Sequence, residues 1–427
     1  MKFPKIFLKA KEEIDILKGA PWVYDNEILY VKYVQNKQMQ SSWEDFSLPA
    51  GIPAEVYSKS GLFLGTGIIN KKSRIALRFL SKDKAEKVFG EGASWENFQG
   101  QHNETVVFFE KKLEEALKIR YLFYTKSDSY RLCFGESDFI PGFIADRYRD
   151  IEGRVFLSVQ FLSLAAEVFR SEIISALEKL CHPYGIYERS DVAVRELEGL
   201  EQKKGWIGGD HDPKIIIREN GVLLTVDLEK GQKTGYFLDQ KDNRRLVADL
   251  AKGCRVLDTF THTGAFGLNA VKGGAKEVIS VDISPEAIET VEENIRLNKA
   301  GTVMKAVCAD VFDLLREYEK KGETFDLIIL DPPAFAKSAG KITKAYGGYK
   351  EINLTAMKLL SPGGLLVTCS CSHFFDTATF YEMLLHAGQD AHRSVQILEK
   401  RGPGPDHPQL MGYDRGEYLK CAVLRVL

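Results

Sequence analysis

The sequence lacks the features that would place this protein in several common classes. None of its seven cysteines forms a Cys-x-x-Cys pair or has histidines at zinc spacing, so a disulfide framework and structural zinc are not expected. No run of about 18 apolar residues occurs, and the opening MKFPKIFLKAKEEIDILKGAPW has no apolar core of signal-peptide length. The chain is therefore predicted to be cytoplasmic, without a membrane span and without a bound metal.

An excess of charge of either sign is also missing. The chain has 58 Lys and Arg against 60 Asp and Glu, so a polyanion would have to bind at local patches. Residues 1–80 hold 12 Lys or Arg and 8 Asp or Glu, which makes this segment basic. An ordinary solvated surface and a surface that contacts RNA both fit this imbalance.

At 427 residues the chain exceeds one compact core, so two or three domains are expected. Short extended runs predict a small β-rich domain over residues 1–84, followed by the Gly-, Asn- and Gln-rich stretch FGEGASWENFQGQHNE. A mixed α+β domain is predicted over residues 104–200. The Asn220-Gly221 hairpin signal lies near the entry to a third domain, residues 201–427.

Strands and helices alternate in the third domain, which predicts an α/β fold with a mostly parallel, Rossmann-like sheet. The final YLKCAVLRVL is predicted to pair antiparallel at the end of this sheet. The predicted strands are CRVLDTF, EVISVD, MKAVCAD, FDLIILD and GGLLVTCSC, and the predicted helices cover residues 265–274, 285–299, 311–321, 345–360 and 376–388.

Polar residues end the first three strands, at the edge where such sheets bind ligands. Asp258 precedes the Gly264 turn, which lets the backbone approach a ligand. Asp282 follows strand two, where a carboxylate accepts hydrogen bonds from ribose, and Asp310 follows strand three. The predicted cofactor site also includes the neighbouring Phe260, Thr263, Ile283 and Val311.

The loop after strand one lacks the Gly-x-Gly-x-x-Gly pattern that holds a pyrophosphate. An adenosine that carries a sulfonium methionine has no phosphate, so the loop favours S-adenosylmethionine over NAD. Each carboxylate also has a purely structural alternative, which is a loop cap for Asp258 and a helix cap for Asp282 and Asp310.

Strand four ends in Asp331-Pro332-Pro333-Ala334-Phe335, a rigid ledge that can present a flat ring. Methyltransferases that act on exocyclic amines tend to carry asparagine at its first position, whereas an aspartic acid suits protonation of a ring nitrogen. We predict that Asp331 is catalytic and that Pro332, Pro333 and Phe335 contact the substrate.

Strand five ends in Cys369-Ser-Cys371, which points two thiols to one side of an extended chain. Methylation of a pyrimidine at carbon 5 requires a thiolate that first adds to carbon 6, so a cysteine beside the cofactor is what this chemistry needs. A packed core thiol is the alternative for either residue. The residues alone do not choose between Cys369 and Cys371.

Long collinear segments resemble the family of large-subunit (23S) ribosomal RNA cytosine carbon-5 methyltransferases that carry an N-terminal PUA domain. The resemblance implies a PUA-like RNA-binding domain, a mixed central domain and a class I methyltransferase domain that uses S-adenosyl-L-methionine. It implies large-subunit ribosomal RNA as the partner. The segments include GAPWVYDNEI, SYRLCFGESDFIPGFIADRY, IYERSDVAVRELEGL, KTGYFLDQKDNRRL, VLDTFTHTGAFGLNA, VDISPEAIE, LDPPAFAKS, GYKEINLTAMKLLSPGG and SCSHF.

The resemblance also implies roles for individual residues. Cys371 is the implied nucleophile, with Cys369 as second choice, and Asp331 binds the target base. A separate two-cysteine group of RNA cytosine methyltransferases has a further cysteine where this chain has Ala334. The base that removes the carbon-5 proton is therefore not identified.

The segment KTGYFLDQKDNRR is implied to lie over the methionine end of the cofactor, through Tyr236, Phe237, Asp239 and Gln240. Its alternative is a helix start capped by Asp239, with both aromatic rings in the core. Among the basic residues that could meet RNA phosphate, Arg244 is retained as a substrate contact.

Three other functions fit the sequence. A methyltransferase of the same fold could act on uracil or guanine, and a non-catalytic protein could bind ribosomal RNA as an assembly factor. A small-molecule methyltransferase would leave about half of the chain without a role. A homodimer is compatible with the sequence, which does not determine the oligomeric state.

Overall fold

A computed structural model describes residues 2–35, 38–335, 340, 342–413 and 416–427. The chain forms two compact units, each assembled from three separate stretches. The first unit comprises Met1–Pro213, Asp227–Tyr236 and Pro405–Gly416, and the second comprises Lys214–Val226, Phe237–Gly404 and Glu417–Leu427.

The described residues of the first unit form two sheets and six α-helices. Its first sheet is built from β1 (Lys5–Leu8), β2 (Trp22–Tyr24), β3 (Ile28–Gln35), β4 (Gln38–Gln40), β5 (Pro53–Tyr57), β6 (Phe63–Ile69) and β7 (Ile75–Ser81), in the order β2-β7-β6-β5-β1-β3-β4. The second is built from β8 (Tyr130–Phe134), β9 (Phe143–Arg149), β10 (Val155–Phe161), β11 (Gly185–Ser190) and β12 (Lys203–Ile207), in the order β12-β11-β10-β9-β8. The helices are α1 (Glu13–Lys18), α2 (Ala85–Phe89), α3 (His102–Tyr121), α4 (Leu164–Val168), α5 (Arg170–Cys181) and α6 (Val194–Leu197).

The first unit has one continuous hydrophobic core, which extends from Phe3, just before the first sheet, to Ile186 in the second sheet. The β-rich character of residues 1–84 is confirmed, because seven strands lie there. The division between residues 84 and 104 stays a prediction, since both predicted domains share this core. Helices α4 and α5 are divided at Phe169, whose ring is buried against Phe89, Phe98 and Phe109.

The second unit is a seven-stranded sheet with helices on both faces, preceded by a hairpin. The hairpin strands are β13 (Lys214–Glu219) and β14 (Val222–Asp227). The sheet has the order β17-β16-β15-β18-β19-β21-β20, with strands β15 (Arg255–Thr259), β16 (Glu277–Asp282), β17 (Met304–Cys308), β18 (Phe325–Leu330), β19 (Leu360–Ser370), β20 (Val395–Arg401) and β21 (Lys420–Val426). The helices are α7 (Lys241–Leu250), α8 (Ala265–Lys272), α9 (Pro285–Leu297), α10 (Val311–Lys321), α11 (Ile342–Leu359) and α12 (Thr377–Asp390).

The predicted α/β fold is confirmed in this unit. Strands β15 to β19 pair in parallel and β21 pairs antiparallel with β19. The hairpin turn is also as predicted, since Asn220 and Gly221 have positive φ values of 52° and 80°, the conformation that a two-residue turn of this kind requires. Among the described residues, no helix is long and apolar enough to cross a membrane.

The predicted end of the sheet is wrong, because β20 lies outside β21 and forms the edge. The sequence hides this strand, since the residues of VQILEKR are largely exposed and show no apolar alternation. Strand order reverses between β15 and β18, so the carboxyl ends of these strands border the crevice where such sheets bind ligands.

Candidate functional site

The predicted site residues of the second unit fall into two groups at the carboxyl edge of its sheet. We call residues 258–264, 282 and 283 the cofactor side, because they follow β15 and β16. We call residues 331–335 and 369–372 the reaction side, because they follow β18 or end β19.

Asp258 on the cofactor side is completely buried. Its Oδ2 accepts hydrogen bonds from the Thr261 hydroxyl, from the Ser280 hydroxyl at 2.9 Å and from the Gly267 N–H at 3.0 Å. Burial raises the pKa of the Asp258 carboxyl to about 6, although these hydrogen bonds lower it. The predicted direct contact with a cofactor is therefore corrected: Asp258 is the loop cap, and it holds the following loop from inside.

The loop itself has an uncommon backbone conformation. Phe260 and His262 have φ values of 55° and 54°, a region that residues with side chains seldom occupy and that recurs at binding sites. The His262 N–H donates to Asp282 Oδ2 at 2.9 Å, and the Phe237 ring packs edge to face on the His262 ring with centroids 5.0 Å apart. Phe237 thus lies against the cofactor side, and its contact with the cofactor stays a prediction.

Gly264 ends this loop and packs closely against α9 and β17. It has a φ of 77° and starts α8, and a Cβ there would lie 3.0 Å from Val291 and 3.2 Å from Met304. Packing against α9 and β17 therefore favours the glycine, and the approach of a ligand to its backbone stays a prediction. Thr263 is also buried, and its carbonyl accepts from Asn294 Nδ2 at 2.8 Å.

Asp282 and Ile283 form the outer wall of the cofactor side. Besides the bond from His262, the Asp282 carboxylate accepts from the Ser284 N–H at 3.1 Å, and Ser284 rather than Asp282 caps α9. Ile283 is 64% exposed, unusual for a large apolar side chain next to a buried strand. A half-buried carboxylate beside an exposed apolar side chain suits a nucleoside, which offers ribose hydroxyls and an apolar ring face.

Asp310 and Val311 follow β17. Asp310 is exposed and caps α10, because its Oδ1 accepts from the Phe312 N–H at 2.8 Å. Val311 is buried in the core beneath the sheet edge. The helix-cap alternative for Asp310 is therefore observed, and it is compatible with a ligand at the exposed carboxylate.

Asp331 on the reaction side is held by a side chain that was predicted to bind the cofactor. The Gln240 Nε2 donates to Asp331 Oδ1 at 2.9 Å, and Gln240 is buried. Pro332 is buried, while Pro333 is exposed and Phe335 half-buried, so the ledge has an accessible surface. The Phe335 ring lies 4.6 Å from the ring of Tyr349, which is itself buried.

The two cysteines of the Cys-Ser-Cys segment have different surroundings. Cys371 is half-buried, and its Sγ lies 3.9 Å from the carbonyl oxygen of Pro332, so the structure joins the cysteine motif to the ledge. Cys369 is completely buried and opposes Cys421 across β19 and β21. Its hydrogen bond with Cys421, together with burial, raises the pKa of the Cys369 thiol, which keeps it neutral. The structure therefore favours Cys371 as the reactive thiol.

Lys420 is a residue that the sequence analysis missed. Its buried ammonium donates to the carbonyl of Ser372 at 2.7 Å and to that of Tyr418 at 2.9 Å, which ties it to the residue directly after Cys371. Burial lowers the pKa of Lys420 to about 8, while the charges of Cys371, Glu417 and Asp376 act in the opposite direction. The sequence signal for this residue was a lysine inside the apolar run YLKCAVLRVL, which indicates a buried charge.

Three further residues that were predicted to contact the RNA or the cofactor are buried. Arg244 is buried and forms a two-pronged ion pair with Glu219, at 2.6 and 2.9 Å, and it also donates to the carbonyl of Phe237. This corrects the predicted contact with RNA phosphate. Asp239 is buried and accepts from the Tyr418 hydroxyl at 2.7 Å. Tyr236 belongs to the first unit and is buried there, so its role stays a prediction.

Together, the cofactor side fits an adenosine-type ligand. It offers a positive-φ loop, a carboxylate and an exposed apolar side chain, with no phosphate-binding glycine pattern. In the described part of the chain no group of three or more His, Cys, Asp or Glu side chains is arranged to hold a metal ion. The reaction side brings an acid and a thiol to the same edge.

Comparison with known families and proteins agrees with this arrangement. A family described as S-adenosylmethionine-dependent methyltransferase matches residues 198–424, and a PUA-like domain matches residues 6–82. The chain is 39% identical over 427 residues to the ribosomal RNA large subunit methyltransferase I of Tolumonas auensis, with 99% of each chain covered. It is 39% identical over 420 residues to the protein of that name from Photobacterium profundum, with 97% of each covered.

A solved structure is similar over nearly the whole chain. It is a protein of Streptococcus mutans described provisionally as a SAM-dependent methyltransferase, with a TM-score of 0.76 and 21% identity, covering 99% of this chain and 100% of that one. A second structure with the same score, described provisionally as a methyltransferase, is complexed with SAH. At this identity the likeness shows a shared fold.

Proposed function

Because the chain belongs to the family of S-adenosylmethionine-dependent methyltransferases, we propose that it uses this cofactor to form 5-methylcytosine in large-subunit ribosomal RNA, through an adduct between Cys371 and the base. Relatives named for methylation of large-subunit ribosomal RNA support this substrate. The observation that carries the chemistry is the thiol of Cys371, half-buried and 3.9 Å from the carbonyl of Pro332.

The residues of the reaction side supply the steps of this mechanism. The Cys371 thiolate adds to carbon 6 of the cytosine while ring nitrogen 3 takes a proton from Asp331, which makes carbon 5 nucleophilic. Bound S-adenosylmethionine supplies an electrophilic methyl group to that carbon. A base then removes the carbon-5 proton, the ring double bond re-forms, Cys371 leaves as thiolate and nitrogen 3 returns its proton to Asp331.

The residues of the cofactor side would hold the cofactor. Asp282 suits the ribose hydroxyls, Ile283 suits one face of the adenine, and Phe237 with the Phe260–Thr263 loop suits the remaining surface. Asp258 acts through the loop, which it caps from below. Asp310 is a further candidate partner at the exposed end of β17.

A cationic face of the first sheet supports RNA as the partner. Lys5 and Lys32 oppose each other across β1 and β3. The Lys5 ammonium lies 5.5 Å from the centre of the Tyr57 ring, and that of Lys32 lies 5.4 Å from the Phe7 ring. In proteins that bind single-stranded nucleic acid, lysines bind the phosphates and neighbouring aromatic rings stack on the bases. We expect Lys5→Glu with Lys32→Glu to weaken binding of ribosomal RNA and to flatten its salt dependence.

The proposal is tested with labelled S-adenosylmethionine and large-subunit RNA that lacks modifications, followed by nucleoside analysis. We expect 5-methylcytidine from the native protein, none from Cys371→Ala, and native yield from the matched Cys254→Ala. RNA that contains 5-fluorocytidine should form a covalent complex with the native protein and with Cys254→Ala, but not with Cys371→Ala.

The same analysis separates the other candidate functions. Methylated uridine or guanosine would overturn the choice of base. Binding of RNA without transfer of label would overturn the proposed catalytic activity and would favour a non-catalytic role in ribosome assembly. Full activity of Cys371→Ala would overturn the proposed nucleophile.

A further inference from the structure

A line of hydrogen bonds leads from Arg401, the last residue of β20, to Asp331 on the reaction side. The Arg401 Nε–H donates to Asn243 Oδ1 at 2.8 Å. The Asn243 Nδ2 donates to Gln240 Oε1 at 2.7 Å, and the Gln240 Nε2 donates to Asp331 Oδ1 at 2.9 Å. We call Arg401, Asn243 and Gln240 the amide chain.

The orientation of the Asn243 amide is set by two neighbours with opposite chemistry. A guanidinium has only donors, so the Asn243 atom that faces the Arg401 Nε is the oxygen. A main-chain carbonyl only accepts, and that of Gly402 lies 3.1 Å from the other amide atom, which must be the nitrogen. Both neighbours select the same orientation.

Asn243 then determines the orientation of Gln240. Because the Asn243 nitrogen faces Gln240, the Gln240 atom opposite is its oxygen, and its nitrogen is turned to Asp331. Both amides are buried, with 1% and 3% of their surfaces exposed. A reversed amide would bring two donors or two acceptors together away from water, and a buried polar group left unsatisfied is destabilising.

We propose that the amide chain determines which oxygen of Asp331 carries the proton that is used at the target base. Oδ1 accepts the Gln240 N–H, so the proton is on Oδ2. When the thiolate adds to carbon 6, the O–H bond at Oδ2 breaks and an N–H bond forms at ring nitrogen 3. The proton returns to Oδ2 when the thiolate is expelled. Gln240, Asn243 and Arg401 are positioning residues, and the inference rests on the proposed role of Asp331.

Titratable groups at this edge of the sheet include Cys369 and Cys371, and Lys420 is tied to the residue after Cys371. Burial and the bond with Cys421 raise the pKa of the Cys369 thiol, so this residue stays neutral in the pH range of interest. Burial lowers the pKa of Lys420 to about 8, so Lys420 contributes its own step to a pH profile. All three residues are unchanged in the variants below, and the comparison with the native protein isolates Asp331.

Asn243→Asp reverses the amide chain with almost no change in size. The new carboxylate still accepts from Arg401 but has no N–H for Gln240 or for the carbonyl of Gly402, so Gln240 turns its nitrogen to residue 243 and its oxygen to Asp331. The proton of Asp331 is then held on Oδ1. We expect adduct formation with 5-fluorocytidine RNA to slow about 30-fold at pH 7. The descending limb of its pH profile should move up by about one pH unit.

Asn243→Ala interrupts the chain without reversing it, since Gln240 keeps the ability to donate to Asp331. We expect a loss of no more than about fivefold and the native pH profile, because only orientation is relaxed. Asn298→Asp is the matched control: this half-buried asparagine of the same unit bonds the main chain of Leu223, and its replacement should leave the profile native. Binding of S-adenosylmethionine, measured for every variant, reports whether the fold is kept.

The inference is overturned if Asn243→Asp and Asn243→Ala lose the same fraction of activity and keep the native pH profile. The side chain of Asn243 would then serve packing alone. It is also overturned if Asn243→Asp forms the adduct at the native rate. Failure of the proposed function has a different result, in which the native protein itself forms no adduct at any pH.

Discussion

The cofactor side and the reaction side lie at the same carboxyl edge of one mostly parallel sheet, yet they use their carboxylates differently. On the cofactor side, Asp258 and Asp282 accept main-chain N–H groups and so shape a loop. On the reaction side, the Asp331 carboxylate is held by the side chain of Gln240. A carboxylate that accepts backbone amides is committed to the fold, whereas one held by a side-chain amide can exchange a proton while its support stays in place.

The functional side chains of the two sides also differ in how far they are buried. Asp258 is fully enclosed, and burial raises its pKa to about 6, which makes it a costly but rigid support. Cys371 remains half-exposed, with the buried cation of Lys420 tied to the next residue. The difference agrees with the proposal that the reaction takes place after β18 and β19 and that β15 and β16 build the surface for the cofactor.

The largest expected effect would sharpen this comparison on the reaction side. Asp331→Asn keeps the shape of the side chain but cannot give a proton to the ring nitrogen. We expect the single-turnover rate of methylation to fall about 10²- to 10³-fold, with the affinity for S-adenosylmethionine within about twofold of native. Asp313→Asn, on the exposed face of α10, is the control. A loss of cofactor affinity with an unchanged rate would show that Asp331 serves cofactor binding and not the reaction.

The converse is expected for Asp282→Ala on the cofactor side. This change removes the acceptor of the His262 N–H and the candidate partner of the ribose hydroxyls. We expect the dissociation constant of S-adenosylmethionine, measured by calorimetry, to rise about 10- to 100-fold. Adduct formation at saturating cofactor should change by less than about threefold. If the rate at saturation falls as far as the affinity, the two sides are not separable.

Lys420→Met tests the electrostatic support of Cys371. The ammonium favours a thiolate beside it, so we expect alkylation of Cys371 by iodoacetamide to slow about tenfold at pH 7. Above pH 8 the native lysine loses its own charge, because burial lowers its pKa to about 8, and the difference should shrink toward pH 9. Lys252→Met, on the exposed surface of the same unit, is the control. A difference that does not depend on pH would indicate a packing role.

The last expected effect concerns the pH dependence of stability, on the cofactor side. The carboxyl of Asp258 ionises less readily in the folded state, where its pKa is about 6 against 3.8, so the unfolded chain releases its proton first as the pH rises. Unfolding is therefore favoured progressively between about pH 4 and 6, by roughly 2–3 kcal/mol for this group. Asp258→Asn should remove that pH dependence in urea unfolding, whatever its own stability. An identical pH dependence in the variant would contradict this.

Much of the fold was predictable because its signals are local. The alternation of strands and helices predicted the parallel sheet, and the Asn220-Gly221 turn predicted the hairpin. The match to the methyltransferase family confirms S-adenosylmethionine as the cofactor that the strand ends and the resemblance indicated. Edge strand β20 was missed, since an exposed charged strand has no apolar periodicity.

The candidate site was predictable in outline and not in its contacts. The strand-end rule brought Asp258, Asp282 and Asp331 to one edge, but it could not tell a buried support from an exposed ligand partner. Arg244 illustrates the limit, because a basic residue in the sequence gives no sign that Glu219 pairs with it from a separate hairpin. Gln240 was assigned to the cofactor, and the structure turns its amide toward Asp331.

By itself, the sequence determined the residue types, their order and the strand ends on which they lie, because periodicity and turn chemistry act over a few residues. Only the tertiary structure decided which of two cysteines separated by one residue is enclosed against Cys421 and which remains open beside Pro332. It also decided the direction of the hydrogen bonds that reach Asp331, since Arg401 and Gly402 are more than 150 residues away from the asparagine they orient. Burial and hydrogen-bond direction depend on neighbours in space, and those neighbours are distant along the chain.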